Sequence, residues 1–292
     1  MTPGGALRLA TRGSRLALAQ AALAVETLRG AWVDALETVV IRAQGDERPG
    51  TPVERLEGEG WFSAALELAI SEGRADAAVH SAKDLPSDLI AGLEVAAFLE
   101  RADCRDALVT RDGRGLGSLE RGASIGTGSA RRAAFLRLLH PELIVVPLRG
   151  NVDTRLRKLD EGEVDGLLLA CAGLDRIGAA GRISERLDAR IFVPAPCQGA
   201  IAIETRSGGE AAAVCARVDH RHTRIAAAAE RAVLIALGGG CLLPLGAWAR
   251  FEDGRLILTA ALDTGGTLRR AELAGAAAAP EELGQRVAAR LR

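Results

Sequence analysis

The feature that most constrains the fold of this chain is an alternation of short apolar strands with amphipathic helical segments over its first two-thirds. ALRLAT (6–11) is typical of a strand, and SRLALAQAALAVETLRG has helical spacing with Ser14 as its N-cap. The alternation predicts open, mostly parallel sheets with helices on both faces. The strands are too many for one short sheet, so we expect two similar doubly wound α/β domains. The chain would cross between them near residue 100 and return near residue 200.

The rest of this region continues the pattern, and the C-terminal segment departs from it. The later predicted elements are the strand LETVVI, the helix FSAALELAISEG, the strands ADAAVHS, LEVAAFL and DALVT, the strand-turn-helix SIGTGSARRAAFLRLLH, the strand LIVVPLRG, the helix NVDTRLRKLDEG and the strand VDGLLLACAG. After them, a helix over 223–237 precedes two strands, AWARF and RLILTAAL, joined by a turn at Asp253-Gly254, and a closing helix over 280–292. This last part predicts a small α+β domain. We therefore expect three domains: residues 1–98 with 200–216, residues 99–199, and residues 217–292.

Composition excludes several classes of function. The net charge of −1 provides no general basic field for nucleic acid, and 3% aromatic residues leave few platforms for base stacking. No apolar run reaches the ~18 residues that span a bilayer. The N-terminal MTPGGALRLATRGS lacks the pattern of a signal peptide. We expect a cytoplasmic protein without nucleic-acid or membrane partners, and a monomer, because no large exposed apolar stripe is predicted.

The residue composition also indicates whether the chain binds a metal and how much a single residue says about function. The five cysteines are odd in number and widely spaced without a CxxC pair, which argues against a disulfide framework or a zinc site. We expect no metal. The chain is rich in arginine but contains only two lysines, Lys83 and Lys158, and one asparagine, Asn151. A lysine or asparagine is therefore more informative here than any one arginine.

Polar clusters follow the predicted strands at their carboxyl ends, where open α/β sheets bind ligands. In chain order they are TRGS with Arg12 and Ser14, HSAKDLP with Ser81, Lys83 and Asp84, GTGSARR with Thr127, Ser129, Arg131 and Arg132, RGNVDTR with Arg149 and Arg155, and AGLDR with Arg176. Each motif alone also fits a capped helix or a solvated turn. Together the cations predict a ligand with several carboxylates or phosphates, since each charge-assisted contact contributes about 1.5–3 kcal/mol.

HSAKDLP contains the most informative pair of residues. Lys83 and Asp84 are adjacent at a predicted strand end, where both side chains can line a cleft. An aspartate among many arginines stays ionised, so Asp84 could stabilise positive charge in a substrate or pass a proton. A surface Lys-Asp turn is the alternative.

Seven motifs together resemble those of one family. VHSAKDLP, GTGSARR, LRGNVDTRL, AGLDRIG, CQGAIAIE, AERA and GGGCLLPLG occur in the order and at roughly the spacing of the hydroxymethylbilane synthase (porphobilinogen deaminase) family. The resemblance extends from TRGSRLALAQ to the closing helix. It implies a fold similar to the two-domain type II periplasmic binding proteins, with a third, small α+β domain. It also implies a transferase of tetrapyrrole (haem, chlorophyll or corrin) biosynthesis.

The resemblance further implies the reaction and its cofactor. Members condense four porphobilinogen molecules head to tail, release ammonia at each step, and free the linear tetrapyrrole hydroxymethylbilane with water. The primer is a dipyrromethane bound as a thioether to a loop cysteine, which the resemblance places at Cys241. The three glycines before Cys241 are expected to end the preceding helix and leave the thiol unobstructed. Because a helix C-terminus disfavours a thiolate, we interpret Cys241 as a tether and not as a nucleophile that turns over.

The remaining roles are also carried over from the resemblance. Asp84 matches the catalytic aspartate, which would stabilise the cationic azafulvene left when ammonia departs and would help to move protons. Porphobilinogen carries an acetate and a propionate, for which arginines would supply the counter-charge. The matching binding arginines are Arg12, Arg131, Arg132, Arg149, Arg155 and Arg176, and the supporting positions are Ser14, Gln20, Ser81, Lys83, Thr127, Ser129 and Gln198.

The chain departs from the family pattern at three positions. Glu59 replaces a common lysine in LEGEGWF, within the acidic, Pro/Gly-rich segment ERPGTPVERLEGEG that we interpret as a mobile lid. Cys197 stands where glycine is usual and is interpreted either as an inert small residue or as a second thiol near the site. Gly128 replaces a common serine.

A function from another class fits part of the same pattern. A non-catalytic protein that binds polyanionic ligands on the same bilobed scaffold would need the arginines. It would have no use for Asp84 or for a thiol beside three glycines. The presence of both Asp84 and Cys241 favours the enzyme.

Overall fold

The computed structural model describes residues 5–32, 35–41, 63–240 and 242–292. The chain divides into two compact units: Met1–Arg101 with Ala200–Arg224, and Ala102–Gly199 with Ile225–Arg292. The predicted division into three domains stays a prediction. Glu59, the segment ERPGTPVERLEGEG and Cys241 lie outside the described residues.

The described strands and helices follow the predicted alternation closely. The strands are β1 (Leu7–Arg12), β2 (Leu36–Ile41), β3 (Ala77–Ser81), β4 (Leu93–Phe98), β5 (Asp106–Thr110), β6 (Ser124–Thr127), β7 (Ile144–Pro147), β8 (Gly166–Ala170), β9 (Glu185–Arg186), β10 (Ile201–Arg206), β11 (Leu245–Glu252), β12 (Arg255–Asp263) and β13 (Leu268–Gly275). The helices are α1 (Arg15–Leu28), α2 (Ala64–Ser71), α3 (Ala130–Leu139), α4 (Val152–Asp160), α5 (Cys171–Arg176), α6 (Glu210–Cys215), α7 (Arg221–Ala236) and α8 (Pro280–Ala289).

Two of the sheets have the same strand order and orientation. Among the described residues, the sheet of the first unit has the order β2-β1-β3-β10-β4, and a sheet of the second has the order β7-β6-β8-β5-β9. In the first, β1 is parallel to β2 and β3, while β10 is antiparallel to β3 and β4. In the second, β6 is parallel to β7 and β8, while β5 is antiparallel to β8 and β9. The prediction of two similar α/β sheets is confirmed.

The sheets are mostly parallel, as predicted, since four of the five described strands in each run in one direction, but each also contains one inserted antiparallel strand. β5 and β10 are the first strands after the chain passes from one unit to the other. In the first unit, β4 runs in the same direction as β3, so the chain leaves at the carboxyl edge of the sheet. β10 begins at that edge and must therefore run the opposite way. Apolar run length alone does not reveal strand direction.

The small C-terminal sheet confirms the predicted α+β part and adds one strand to it. β11, β12 and β13 form an antiparallel meander, and α8 packs against β12 and β13. The sequence predicted β11 and β12 but not β13. β13 is a sheet edge that carries Arg269, Arg270 and Glu272, so it lacks the apolar run by which a strand is recognised.

Helices pack on both faces of the sheet in the first unit, because successive side chains of β1 point to opposite faces. Leu7 and Leu9 of β1 belong to one buried cluster, which includes Leu28 of α1. Ala10, on the opposite face of the same strand, packs in a second cluster with Leu66 and Ile70 of α2. None of the described helices combines the length and the hydropathy needed to cross a bilayer.

The residues that flank the start of α1 and the end of α7 are of types that favour a helix terminus. The Ser14 hydroxyl accepts a hydrogen bond from the Ala17 backbone N–H at 3.2 Å, which confirms it as the N-cap of α1. α7 ends at Ala236, and Gly238 then adopts a φ of 82°, a left-handed conformation that glycine adopts without strain. The Gly239 N–H donates to the Leu234 carbonyl at 2.9 Å and closes the last turn.

Candidate functional site

The carboxyl edge of the sheet in the first unit carries the first group of predicted site residues. β1 and β3 are parallel neighbours, with Leu9 opposite Ala77 and Ala10 opposite Ala78, and they end at Arg12 and Ser81. Parallel neighbours end at the same edge of a sheet. The structure therefore brings Arg12 and Ser81 to one edge, with the Arg12 side chain half-buried.

A direct contact fixes the hydroxyl of Ser81 at this edge. Gln20 lies on α1 and is buried, and its Nε2 donates to the Ser81 Oγ at 2.8 Å. The pair joins residues 61 positions apart in the sequence. Gln20 therefore acts on the site through Ser81, while Ser14 caps the helix that carries Gln20.

Lys83 and Asp84 lie in a short turn immediately after β3. The turn is a single 3₁₀ segment, Ala82–Asp84; its first residue, Ala82, is buried, and so is Leu85, which follows the segment. The Ala82 N–H donates to the Ala200 carbonyl at 3.1 Å, which ties the turn to the start of β10. Both Lys83 and Asp84 are exposed. The buried Ala82 and Leu85, on either side of Lys83 and Asp84, hold the turn in place and leave the Asp84 carboxylate open to solvent.

A second group lies at the carboxyl edge of the β6-containing sheet in the second unit. Thr127 ends β6 and is buried, and its Oγ1 accepts a hydrogen bond from the Ser129 N–H at 3.2 Å. Ser129 is the N-cap of α3, since its hydroxyl accepts from the Arg132 N–H at 3.4 Å. These hydroxyls shape the strand-to-helix turn.

Arg149 and Arg155 converge on Gly128 in that turn. A Cβ placed on Gly128 would lie 2.9 Å from the Leu148 carbonyl oxygen, 3.6 Å from Arg155 Nη2 and 3.9 Å from Arg149 Cγ. Arg155 Nε also donates to the Gly150 carbonyl at 2.7 Å. Glycine at position 128 therefore permits a close backbone approach, and a serine there would require the Leu148 carbonyl to shift.

Arg176, the last residue of α5, presents an unused hydrogen-bond donor. Its Nη2 donates to the Gly199 carbonyl at 2.6 Å, whereas its buried Nε has no hydrogen-bond partner within the described part of the chain. Burial lowers the pKa of this guanidinium to about 10, so it remains cationic at neutral pH. A half-buried cation with an unpaired N–H suits an anionic ligand group.

Arg131, Arg132 and Gln198 lie in a buried network around Asp106, the first residue of β5. Arg131 Nη1 is 2.7 Å from Asp106 Oδ2, and Arg132 Nε donates to Asp106 Oδ1 at 2.8 Å. Gln198 Nε2 donates to the same Oδ1 at 2.9 Å and its Oε1 accepts from Arg132 Nη2 at 3.1 Å. All four residues are at most 5% exposed.

The two arginines explain the charge state of Asp106. Burial raises the pKa of this carboxyl, but the charges of Arg131 and Arg132, with hydrogen bonds from Arg131 and Gln198, lower it well below its ordinary range. Burial lowers the pKa of Arg131, and the charge of Asp106 opposes that effect. Further guanidinium N–H groups are bound by the backbone carbonyls of Val193 and Leu168. The Nε of Arg131 is buried without a hydrogen-bond partner among the described residues.

Cys197 precedes this network in an unusual backbone conformation. Its φ is 60°, in the left-handed region that favours glycine, and its side chain is 1% exposed. The Cys197 N–H donates to Glu230 Oε2 at 2.6 Å, and Glu230 Oε1 accepts from the Ala249 N–H at 2.7 Å. A buried carboxylate on α7 thus holds both the Cys197 loop and β11.

Sequence reasoning missed Asp106 and Glu230 as structural residues. Each has a signal in the sequence: Asp106 begins the apolar strand DALVT, and Glu230 interrupts an alanine-rich helix. An acidic residue inside an apolar run indicates a buried, paired carboxylate. Their partners are far away in the sequence, so the pairing itself could not be predicted.

The other thiols are poorly suited to covalent chemistry. Burial raises the pKa of both Cys171 and Cys215 to about 12, which leaves them protonated at neutral pH. Cys104 is half-buried. Within the described ranges, no group of three or more His, Cys, Asp or Glu side chains is arranged to hold a metal ion.

Comparison with known families gives two matches that together cover most of the chain. Residues 7–214 match the model described as "Porphobilinogen deaminase, dipyromethane cofactor binding domain". Residues 224–292 match the model described as "Porphobilinogen deaminase, C-terminal domain".

Individual relatives agree with these matches. The chain is 44% identical over 285 residues to a porphobilinogen deaminase of Desulforudis audaxviator, with 96% of this chain and 92% of that protein covered. It is 41% identical over 286 residues to a porphobilinogen deaminase of Syntrophobacter fumaroxidans, with the same coverage. Among solved structures, a periplasmic VFT2 domain of Bordetella pertussis BvgS is similar at 16% identity and a TM-score of 0.44, covering 75% of this chain and 88% of that one.

Proposed function

The chain belongs to the porphobilinogen deaminase family and polymerises porphobilinogen for tetrapyrrole biosynthesis on a dipyrromethane cofactor, and we propose that Asp84 and Cys241 carry this chemistry. In this proposal the product is the linear tetrapyrrole hydroxymethylbilane, and ammonia leaves at each addition. Asp84 is the catalytic acid and Cys241 is the point of covalent attachment. The observation that carries the role of Asp84 is its exposed carboxylate in a turn held by buried neighbours at a sheet's carboxyl edge.

The donors in the second unit suit a cofactor that carries carboxylates. Arg149 and Arg155 converge beside Gly128, and Arg176 has a buried Nε without a hydrogen-bond partner in the described part of the chain. Guanidinium groups bind carboxylates through charge-assisted hydrogen bonds. We propose that these three residues hold the acetate and propionate groups of the cofactor and the growing product. When bound, the dipyrromethane supplies the pyrrole carbon to which the first substrate is joined.

The first unit supplies the acid and its immediate support. When ammonia leaves, positive charge develops on the substrate pyrrole, and the exposed carboxylate of Asp84 stabilises it electrostatically. The same carboxylate accepts a hydrogen bond from a pyrrole N–H and moves a proton during coupling. Lys83, beside it in the turn, and Arg12, at the end of β1, provide counter-charge for the substrate's carboxylates. Ser81, fixed by Gln20, provides a hydroxyl at the same edge.

Arg131, Arg132 and Gln198 have a structural role in this proposal, in support of the binding residues of the second unit. Most of their polar atoms bind Asp106 or backbone carbonyls, so their first role is to fix the start of α3. Thr127 and Ser129 complete the same turn. Direct contact of Arg131 or Arg132 with the cofactor stays a prediction, and the Nε of Arg131 is the N–H group most suited to it.

The attachment at Cys241 is tested by intact mass spectrometry of protein made in a host that produces porphobilinogen. We expect the mass to exceed that of the chain by one dipyrromethane, and colour to develop with an aldehyde reagent for pyrroles. Cys241→Ser should remove both signals, and Cys104→Ser, a half-buried thiol elsewhere, should retain them. An unmodified wild-type chain without colour would contradict the proposed attachment.

We further propose that the protein works as a cytoplasmic monomer. The net charge of −1 and the scarcity of aromatic residues support a small-molecule substrate as its main partner, without nucleic acid. Sedimentation of the purified holoenzyme tests the monomer, since a dimer would have twice the 30.4 kDa mass of the chain.

A further inference from the structure

Three buried titratable groups inside the first unit have no part in the roles proposed above. Glu67 lies on α2, His80 on β3 and Glu204 on β10, and none is more than 5% exposed. In the antiparallel pairing of β3 and β10, His80 is opposite Ala202, and Glu204 is opposite Ala78. His80 and Glu204 therefore lie on the same face of the sheet.

α2 covers this face and brings the third group to it. Leu66 and Ile70 of α2 pack against Ala78 of β3 and Ala10 of β1, which places Glu67 beside the face that carries His80 and Glu204. The charges of Glu204 and His80 both act on Glu67. The neighbouring strand β1 contributes the uncharged Ala10 here, and Ser63 contributes a hydroxyl that donates a hydrogen bond to Glu67.

His80 and Glu204 form an ionic contact, and all three side chains leave hydrogen-bonding capacity unused. His80 Nε2 lies 2.9 Å from Glu204 Oε2, without the alignment of a hydrogen bond. Among the described residues, the buried atoms without hydrogen-bond partners include Glu67 Oε1, His80 Nε2, Glu204 Oε1 and Glu204 Oε2. No metal-binding arrangement is formed by the described His, Cys, Asp and Glu side chains. The contact between His80 and Glu204 therefore rests on charge and not on a hydrogen bond.

Burial limits how much net charge this group can carry. Burial raises the pKa of the Glu67 carboxyl, and the charge of Glu204 raises it further, while the hydrogen bond from Ser63 and the charge of His80 oppose these effects. Two ionised carboxylates beside one imidazole would leave a net negative charge in the protein interior, which is costly. A neutral Glu67 beside an ion pair of His80 and Glu204 leaves no net charge.

The position of His80 connects this group to the proposed catalytic turn. His80 directly precedes Ser81, and the turn Ala82–Asp84 follows at once. The strand that carries Asp84 to the edge of the sheet is therefore fixed, one residue before it ends, by the contact between His80 and Glu204.

We propose that Glu67, His80 and Glu204 share protons as one buried unit and that the contact between His80 and Glu204 within it positions Asp84 by holding the end of β3. The proton sharing stands without any assumption about the reaction, whereas the positioning of Asp84 rests on the proposed function. His80 and Glu204 are positioning residues in this account, and neither touches the substrate.

Two isosteric substitutions separate the roles of the carboxylates. Glu67→Gln mimics a protonated acid, so the variant should fold, retain its kcat at neutral pH and keep the wild-type charge on His80. Glu204→Gln removes the counter-charge of the imidazole, so the His80 ring should lose its proton at lower pH than in the wild type. Glu72→Gln, an exposed residue just beyond the same helix α2, is the matched control and should change nothing.

The test follows the imidazole ¹⁵N signals of the holoenzyme against pH, together with kcat and KM. The chain has four histidines, so His140, His220 and His222 serve as internal references. We expect E204Q to shift the His80 titration, E67Q to alter it only at high pH, and E72Q to leave it unchanged. We expect kcat of E204Q to fall at least tenfold with little change in KM.

Each outcome decides one part of the proposal. Identical His80 titrations in the wild type, E67Q and E204Q would overturn the proton sharing. If E204Q does not fold, the wild type and E67Q still decide it, because their titrations must differ at high pH. Altered titrations with an unchanged kcat in E204Q would overturn the positioning of Asp84 alone. A wild type that makes no tetrapyrrole would contradict the proposed function and leave the titration result intact.

Discussion

Arg131 and Asp106 form a buried ion pair in the second unit, with Nη1 and Oδ2 separated by 2.7 Å and both side chains at most 3% exposed. Arg132 completes the arrangement from the next position of α3. The motif GTGSARR, whose two arginines the sequence suggests as ligand-binding residues, therefore also has a structural role. The carboxylate that organises it lies 25 residues before Arg131.

Asp106→Asn should destabilise the second unit strongly. The substitution removes the only carboxylate that faces Arg131 and Arg132 in the described network and leaves two buried cations without a counter-charge. Breaking a buried pair in this way costs about 3–5 kcal/mol. Urea unfolding at neutral pH measures the loss. Asp112→Asn, which alters an exposed ion pair with Arg114, is the control and should change the free energy of unfolding by less than about 1 kcal/mol.

The contribution of Asp106 should also depend on pH in a defined direction. Its pKa is lower in the folded chain than in the unfolded chain, so its stabilisation is complete above the unfolded value of about 3.9. It is lost as the pH falls through the lower, folded value. The difference in unfolding free energy between wild type and Asp106→Asn should therefore be constant from pH 7 to pH 5 and shrink below about pH 4. A difference that stayed constant to pH 2 would count against this assignment.

Asp84→Ala should abolish most turnover without unfolding the chain. The side chain is exposed, and its turn is held by the buried residues Ala82 and Leu85. Loss of a catalytic acid–base group lowers the rate by about 10²–10⁴-fold. The measurement is single-turnover consumption of porphobilinogen, with circular dichroism to check the fold. Asp88→Ala, an exposed aspartate four positions further on, should keep near-normal activity. Comparable activity in the two variants would show that the acid is another residue.

Arg149→Ala should stop elongation at a partial chain. Arg149 lies beside Gly128 and Arg155 at the carboxyl edge, where we place the acetate and propionate groups. Each lost charge-assisted contact is worth about 1.5–3 kcal/mol, which corresponds to roughly 10- to 150-fold in affinity. Mass spectrometry of enzyme-bound intermediates should reveal accumulation of shorter chains. Arg157→Ala, on the exposed side of α4 and paired with Glu161, is the control, and its intermediates should match those of the wild type.

The residues of these sites differ in how far the sequence alone could predict their positions and contacts. The strand ends at Arg12, Ser81 and Thr127 could be predicted, because periodic apolar runs locate strands and parallel strands share a carboxyl edge. The contact between Gln20 and Ser81 could not, since it joins positions 61 residues apart. The direction of β10 depends on where the chain re-enters the first sheet, which no local pattern records.

The residues that sequence reasoning missed share one physical property. Asp106, Glu204 and Glu230 are each 0% exposed and polar, and each lies within an apolar strand or helix. Their energetic role depends on partners that folding brings from elsewhere in the chain. A charged residue within an apolar run is visible in the sequence, but its partner becomes known only from the structure.

Cys197 offers a further prediction, because its backbone conformation suits glycine. At a φ of 60°, any side chain with a Cβ is strained by about 1–2 kcal/mol. Cys197→Ala keeps that strain and loses the packing of the sulfur, whereas Cys197→Gly loses the packing and relieves the strain. We therefore expect the glycine variant to be more stable than the alanine variant by about 1 kcal/mol.

Cys215 gives the matched comparison, since it is also a buried cysteine but lies at the end of a regular helix, α6. There the order should be reversed, with alanine more stable than glycine by up to about 1 kcal/mol, because glycine is the poorer helix former. Urea unfolding of the four variants measures both differences. The reversal is specific to backbone strain, because loss of a thiol from the core is common to both sites. If alanine were the more stable replacement at both positions, the left-handed conformation of Cys197 would carry no strain, and the cysteine would be held there by its packing alone.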